Sequence, residues 1–350
     1  MRCILFPLTI KYIPQNYQNL LLEERKFFHD FWNPNLPLNP KLPHQKEIQD
    51  HFSWKVERLS FAVEGTPFEV EYSLIEPKDL GGILPKNFIY APGNVVTHDN
   101  FILGLYPFLA SYLEKRKREP GLIPSRFFIL SQYDTYREDG KKFCPKNIHE
   151  PGLVFAQILK ALTQQKGPID LITAHSLGTI VLASSLKYLA SLSSSKKESI
   201  LPKNIYMDRG VSSTEKAGSL LGPLNPFLAF LSRMSDWNLD IGNEIYQHLS
   251  SRKDQALLLS EVKKDFYFSK DRSLVQSPYI QALTKERKAF TFSFDFPAQQ
   301  YHPIAHHMLN NSYLEHYQLV QKEDSLLQEG ESMADLAIRI LYRENSNPEL

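Results

Sequence analysis

Residues Asp170-Leu-Ile-Thr-Ala-His-Ser-Leu-Gly178 constrain this chain more than any others: a short apolar run ends on a serine that has small residues two places to either side. Pro168 and Ile169 lead into the run, and downstream Leu177, Ile180, Val181, Ala183, Leu186 and Leu189 fit one apolar face of a helix. A strand that turns into a helix within one residue forces the corner residue into a strained backbone. Side chains two places away then collide with the neighbouring strand and helix unless they are small. Ala174 and Gly178 meet that demand. The corner side chain stands at the end of the sheet, beside the positive end of the helix. An ordinary helix cap at Ser176 is the alternative. The spacing matches a nucleophile elbow.

The rest of the chain supplies the strands and helices such a turn needs. Residues 1–54 read as an N-terminal extension, with a helix over 20–32, a proline-rich loop over 33–43 and weaker helix signals over 44–54. A single domain is expected over 55–345. Alternating residues at 56–63 and 68–75 predict an edge hairpin. Strands at 87–91 and 126–132 then alternate with helices at 101–113 and 150–164, followed by the elbow strand, its helix and a strand at 204–207. That rhythm predicts an α/β fold with a mostly parallel sheet and helices on both faces. The pattern breaks between residues 211 and 264, where the apolar stretch 220–231 is interrupted by Pro223 and Pro226, and a lid insertion after the sixth strand is expected there. Strand signals return at 266–269 and 289–295, and closing helices at 314–327 and 333–342.

Composition excludes several classes. With 350 residues, 23% charged and 42% hydrophobic, the chain is long enough for one large α/β domain with extensions, or for two domains. A net charge of +1 argues against nucleic acid as a partner. The run Glu114-Lys-Arg-Lys-Arg-Glu119, just before Pro120, reads as a solvated helix end where cations suit the dipole. Cys3 and Cys144 are the only cysteines, so no disulfide framework is expected and a reducing compartment is compatible. The N-terminal apolar core is interrupted by Pro7 and ended by Lys11, with no small-residue cleavage site, so no secretory signal is expected. No apolar run approaches the ~18–20 residues of a membrane span. A cytoplasmic protein follows, with export by a dedicated secretion system and peripheral membrane contact left open.

A serine is inert near neutral pH without a base to take its proton, an acid to orient the base and donors for the developing oxyanion. In elbow-bearing sheets the chain order is serine, acid, histidine. Asp271, after the apolar run 266–269, is the expected acid, and Asp208, at the end of the preceding strand, competes with it. The base is expected in His302-Pro-Ile-Ala-His-His307, where His306 is preferred over His302 and His307. The pair His302 and His306 has zinc-like spacing but lacks the glutamate and third ligand of a metal motif, so neither metal nor cofactor is expected. The loop Tyr90-Ala-Pro-Gly-Asn94 provides a close backbone approach at Gly93, and the N–H groups of Asn94 and Leu177 are the expected oxyanion donors. His98 and Asp99 read as substrate contacts or, better, as part of a helix cap at Asp99 or Asn100.

The Gly93-Asn94 loop and the Ala174-His-Ser-Leu-Gly178 elbow resemble the α/β-hydrolase superfamily over about residues 56–342. The phrase Asp208-Arg-Gly-Val-Ser-Ser213 is similar to the chlamydial CHLPS-type branch and related bacterial effector-like hydrolases. Ala174 stands where the first glycine is usual and Pro92 where the oxyanion loop often has histidine. The resemblance implies a Ser-Asp-His site and an esterase or lipase-like activity on a small-molecule or lipid ester. A hydrolase-fold binding module without catalysis, or an acyltransferase using the same triad, are the alternatives.

Overall fold

The computed structural model describes residues 15–93, 96–194, 200–214, 238–252, 255–262, 273–294, 328 and 330–342. Strands β1 (Phe52–Val63) and β2 (Thr66–Pro77) form an antiparallel hairpin closed by a two-residue turn. Then come β3 (Lys86–Ala91), β4 (Ser125–Ile129), the short β5 (Thr135–Arg137), β6 (Leu171–His175), β7 (Asn204–Asp208), β8 (Ala256–Val262) and β9 (Ala289–Phe294). Their order across the sheet is β1-β2-β4-β3-β6-β7-β8-β9, with β5 added antiparallel to β2. From β4 to β9 every neighbouring pair is parallel.

Helices cover both faces, as short apolar strands buried on two sides require. Along β6 to β8 alternate residues feed two separate cores. Ile172, Ile205 and Leu257 join Ile158 and Leu159 of α4 (His149–Lys166), Leu182 and Leu186 of α5 (Leu177–Ser194), Ile245 of α6 (Ile241–Leu249) and Ile280 of α7 (Pro278–Lys285). On the other face Leu171, Tyr206 and Leu258 pack with α1 (Gln15–Phe31), α2 (Gln45–His51), α3 (Ile102–Arg118) and α8 (Met333–Leu341). Ser332 and Asp335 close the start of α8 with a reciprocal capping box.

The mostly parallel sheet with helices on both faces is the architecture expected, and two local differences have physical causes. Helices α1 and α2 bury Phe28, Phe31 and Ile48 in the second core, so the described part of the N-terminal extension is packed onto the domain. The irregular stretch expected over 211–264 is narrower than that range, because α6 and β8 occupy its C-terminal part and β8 is a fully buried strand inside the sheet. Residues 215–237, with the apolar stretch 220–231, lie outside the described residues, as do the strand expected at 266–269 and the helix expected at 314–327. The basic run ends α3 as anticipated, with Lys115 paired to Glu119 and Lys117 to Glu114. Among the described residues no helix is long and apolar enough to cross a membrane.

Candidate active site

Ser176 is the single residue between the end of β6 and the start of α5, and its φ is +50°, in the left-handed region. An ordinary helix cap has extended backbone, so the corner geometry is that of the elbow. The turn is held on both sides. The Ser176 N–H donates to the Asp208 carbonyl at 3.1 Å, and the Ser176 carbonyl accepts from the Thr179 N–H at 3.0 Å and the Thr179 hydroxyl at 2.6 Å. Leu177 is the first residue of α5, where backbone N–H groups have no acceptor within the helix.

The small residues flanking the serine have separate reasons. Ala174 is fully buried in β6. At Gly178 a Cβ would sit 2.5 Å from the Ala91 carbonyl oxygen and 2.8 Å from that of Pro92, so the end of β3 excludes any side chain. A Cβ on Gly93 would lie 3.0 Å from the Ser176 Cβ and 3.4 Å from its hydroxyl oxygen. The chain leaving β3 therefore passes directly against the serine. Asn94, the expected donor of that loop, lies outside the described residues.

Beneath the serine runs a hydrogen-bonded chain that sequence reasoning did not find. His175 Nδ1 lies 2.9 Å from Asp208 Oδ2, and Ser260 donates to Asp208 Oδ1 at 2.6 Å. The Tyr206 hydroxyl lies 2.8 Å from Ser260 Oγ. Asp208 and Arg209 are both fully buried, and the Arg209 Nε is 3.8 Å from Asp208 Oδ2. Phe101 stacks on the His175 ring at 6.3 Å. Phe101 and Arg209 also have left-handed backbones, with φ of +64° and +50°. Three strained non-glycine residues thus gather at the C-terminal edge of the sheet, where ligands bind in open α/β sheets.

His98 and Asp99 hold the loop that follows Gly93, and no cap forms at Asp99 or Asn100. Helix α3 starts at Ile102, capped by Phe101 without a side-chain bond, and the Asp99 carboxylate is taken by the Thr97 hydroxyl and by Arg25 of α1. The His98 N–H donates to Asp134 Oδ2 at 2.6 Å, and Ser73 donates to the His98 carbonyl at 2.8 Å. Burial pushes the Asp134 carboxyl up to about 7 and the His98 imidazole down.

Asp271, His302, His306 and His307 lie outside the described residues. After Asp271 the described chain resumes at Ser273, bridged to Val211, and the Leu274 N–H donates to the Gly210 carbonyl at 2.8 Å. Among the described residues one group, His44, Glu47 and Glu114, brings three potential metal ligands together. Lys117 Nζ already sits 2.7 Å from both glutamates. An ammonium fills the place a cation would take.

The strand order, the parallel register and a strained serine between β6 and α5 define the α/β-hydrolase fold. No family model and no curated protein sequence matches this chain. Among solved structures it is similar to brefeldin A esterase, a bacterial homologue of human hormone-sensitive lipase, at 12% identity and a TM-score of 0.49, covering 97% of this chain and 88% of that one. It is similar to the esterase domain of a Rhodothermus marinus protein at 13% identity and a TM-score of 0.42, covering 75% of this chain and 94% of that one. A lipase/esterase from Lactobacillus plantarum aligns at 13% identity and a TM-score of 0.41, over 69% of this chain and 89% of that one.

Proposed function

We propose that the protein is a serine hydrolase that cleaves a carboxylic ester through an acyl-enzyme. The carrying observation is Ser176 itself, left-handed at the corner between a buried strand and a helix N-terminus, with the Gly93 backbone against its side chain. In this reading the Ser176 hydroxyl attacks the acyl carbonyl while His306 takes its proton. Asp271 holds the imidazolium, and the N–H groups of Leu177 and Asn94 stabilise the tetrahedral oxyanion. His306 then returns the proton to the leaving alkoxide, and water attacks the acyl-enzyme with the same base assisting.

Chain order supports these roles. Asp271 follows β8 and lies two residues before the Ser273 bridge to Val211, and His306 follows β9, the last strand among the described residues. The apolar stretch 220–231 supports an acyl-lipid substrate and a lid. The phrase from Asp208 to Ser213 supports kinship with the CHLPS-type branch.

Hydrolysis of p-nitrophenyl esters from acetate to palmitate tests the assignment. Ser176→Ala and His306→Ala should each lower kcat by about 10⁴-fold or more, and Asp271→Asn by a similar factor. His302→Ala and His307→Ala should stay within about tenfold of the parent. A wild-type protein that turns over none of these esters, or a Ser176→Ala variant as fast as wild type, overturns the reading.

A further inference from the structure

We propose that Asp208 is a positioning residue that clamps the nucleophile turn, gripping His175 with its carboxylate and Ser176 with its carbonyl; the proposal rests on the reading of Ser176 as the nucleophile. Asp208 stands directly opposite His175 in the parallel register of β6 and β7, so their side chains leave the sheet on the same face. The next residue, Ser176, then donates its N–H to the Asp208 carbonyl. One residue of β7 thereby fixes two successive residues of the turn.

The protons around this carboxylate can be assigned. An ionised aspartate only accepts, so Oδ2 takes the His175 Nδ1–H and Oδ1 takes the Ser260 hydroxyl. Ser260 has then spent its single proton, and the Tyr206 O–H must donate to Ser260. Burial pushes the Tyr206 phenol well above its ordinary range, which keeps that donor protonated. The chain Tyr206, Ser260, Asp208, His175 spans three strands and sets both the tautomer and the ring plane of His175.

The ring plane matters because His175 flanks the contact between Gly93 and Ser176. Its Cδ2 lies 3.3 Å from the point a Gly93 Cβ would occupy, and Phe101 stacks along the ring. A turn of the imidazole moves Gly93 relative to Ser176, and a misplacement of 1 Å at a reacting centre costs on the order of 10²-fold in rate. Both Asp208 oxygens accept from groups below the serine. Asp208 is thereby assigned to the clamp, and the role of triad acid is left to Asp271.

Four variants and a spectrum test this. Asp208→Asn keeps the shape but loses the charge. His175→Asn places an amide nitrogen near the Nδ1 position, whereas His175→Gln reaches past it. Asp208→Asn and His175→Gln should lower ester kcat by about ten- to a hundredfold, with KM within about threefold of wild type. The pH midpoint of kcat/KM should not move. His175→Asn should run about tenfold faster than His175→Gln. Thermal unfolding of each variant corrects the rates for folded fraction. Ser176→Ala sets the floor.

An Asp208→Asn variant at that floor, or one with a shifted pH midpoint, makes Asp208 the triad acid and overturns the clamp. So do His175 variants that both run at the wild-type rate. Nitrogen-15 histidine spectra give a readout independent of turnover: the clamp requires His175 as the Nδ1–H tautomer, and an Nε2–H tautomer overturns it. Wild-type protein without turnover sinks the hydrolase reading, and the spectra then still decide the clamp geometry.

Discussion

At Gly178 a hydrogen is all the space permits, since a Cβ would be 2.5 Å from the Ala91 carbonyl oxygen. Gly178→Ala should cost about 1–3 kcal/mol of stability through overpacking against backbone, measured by urea unfolding. Gly93→Ala presses instead on a side chain, with its Cβ 3.0 Å from that of Ser176. Its stability should change by less than about 1 kcal/mol while ester turnover falls by about tenfold or more. A Gly93→Ala variant with wild-type turnover would show that the loop has room to move aside. At this scale the elbow was legible, because its steric demands fall within five consecutive residues of the sequence, 174–178. The pairing of His175 with Asp208 was not. It depends on the register between two strands 33 residues apart, which no local pattern records.

Among the elements, β8 is one that the sequence hid, as it hid β5 and α7. The β8 residues Ala256-Leu-Leu-Leu-Ser-Glu-Val262 are leucine-rich and buried throughout, so they show neither the alternation of a half-exposed strand nor, apart from Val262, the β-branched residues that mark buried ones. Tertiary position between β7 and β9 decides its conformation. The hairpin of β1 and β2, the strand β6 and the basic end of α3 carried clear local signals. Helix α1 was visible as a helix, but nothing in its sequence said that it packs on the domain. Phe28 is fully buried in the core beside α3, and Arg25 reaches Asp99 of the loop behind Gly93. Phe28→Ala should therefore cost about 3–5 kcal/mol, read from thermal or denaturant unfolding. A loss below about 1 kcal/mol would mean that α1 is an appendage rather than part of the fold.

At the scale of the whole molecule, the buried Glu24 and Asp134 and the half-buried His51 contribute to stability against pH. Burial holds the Glu24 carboxyl up at about 8, against an ordinary 4.5, and the Asp134 carboxyl at about 7, against 3.8. The folded state binds more protons than the unfolded chain across those windows, so stability falls as pH rises and the loss is complete above about 8. His51 acts in the opposite sense. Burial lowers its imidazole from 6.5 to about 4, and stability falls as pH drops through that window. Between about pH 7 and pH 8 Glu24 carries the larger share of the remaining titration and Asp134 completes its own. Glu24→Gln should flatten the decline of unfolding free energy there, and an unchanged slope would contradict a buried, protonated Glu24.

The mostly parallel sheet, with strained Phe101, Ser176 and Arg209 at its C-terminal edge, supports the proposal that Ser176 is a nucleophile. The most direct test is mass mapping of the intact protein after treatment with a fluorophosphonate. A single adduct on the peptide containing Ser176, absent from Ser176→Ala, is the expected result. Folded wild-type protein that takes no adduct, including with the smallest reagent, would contradict an activated serine and leave the fold as a binding scaffold.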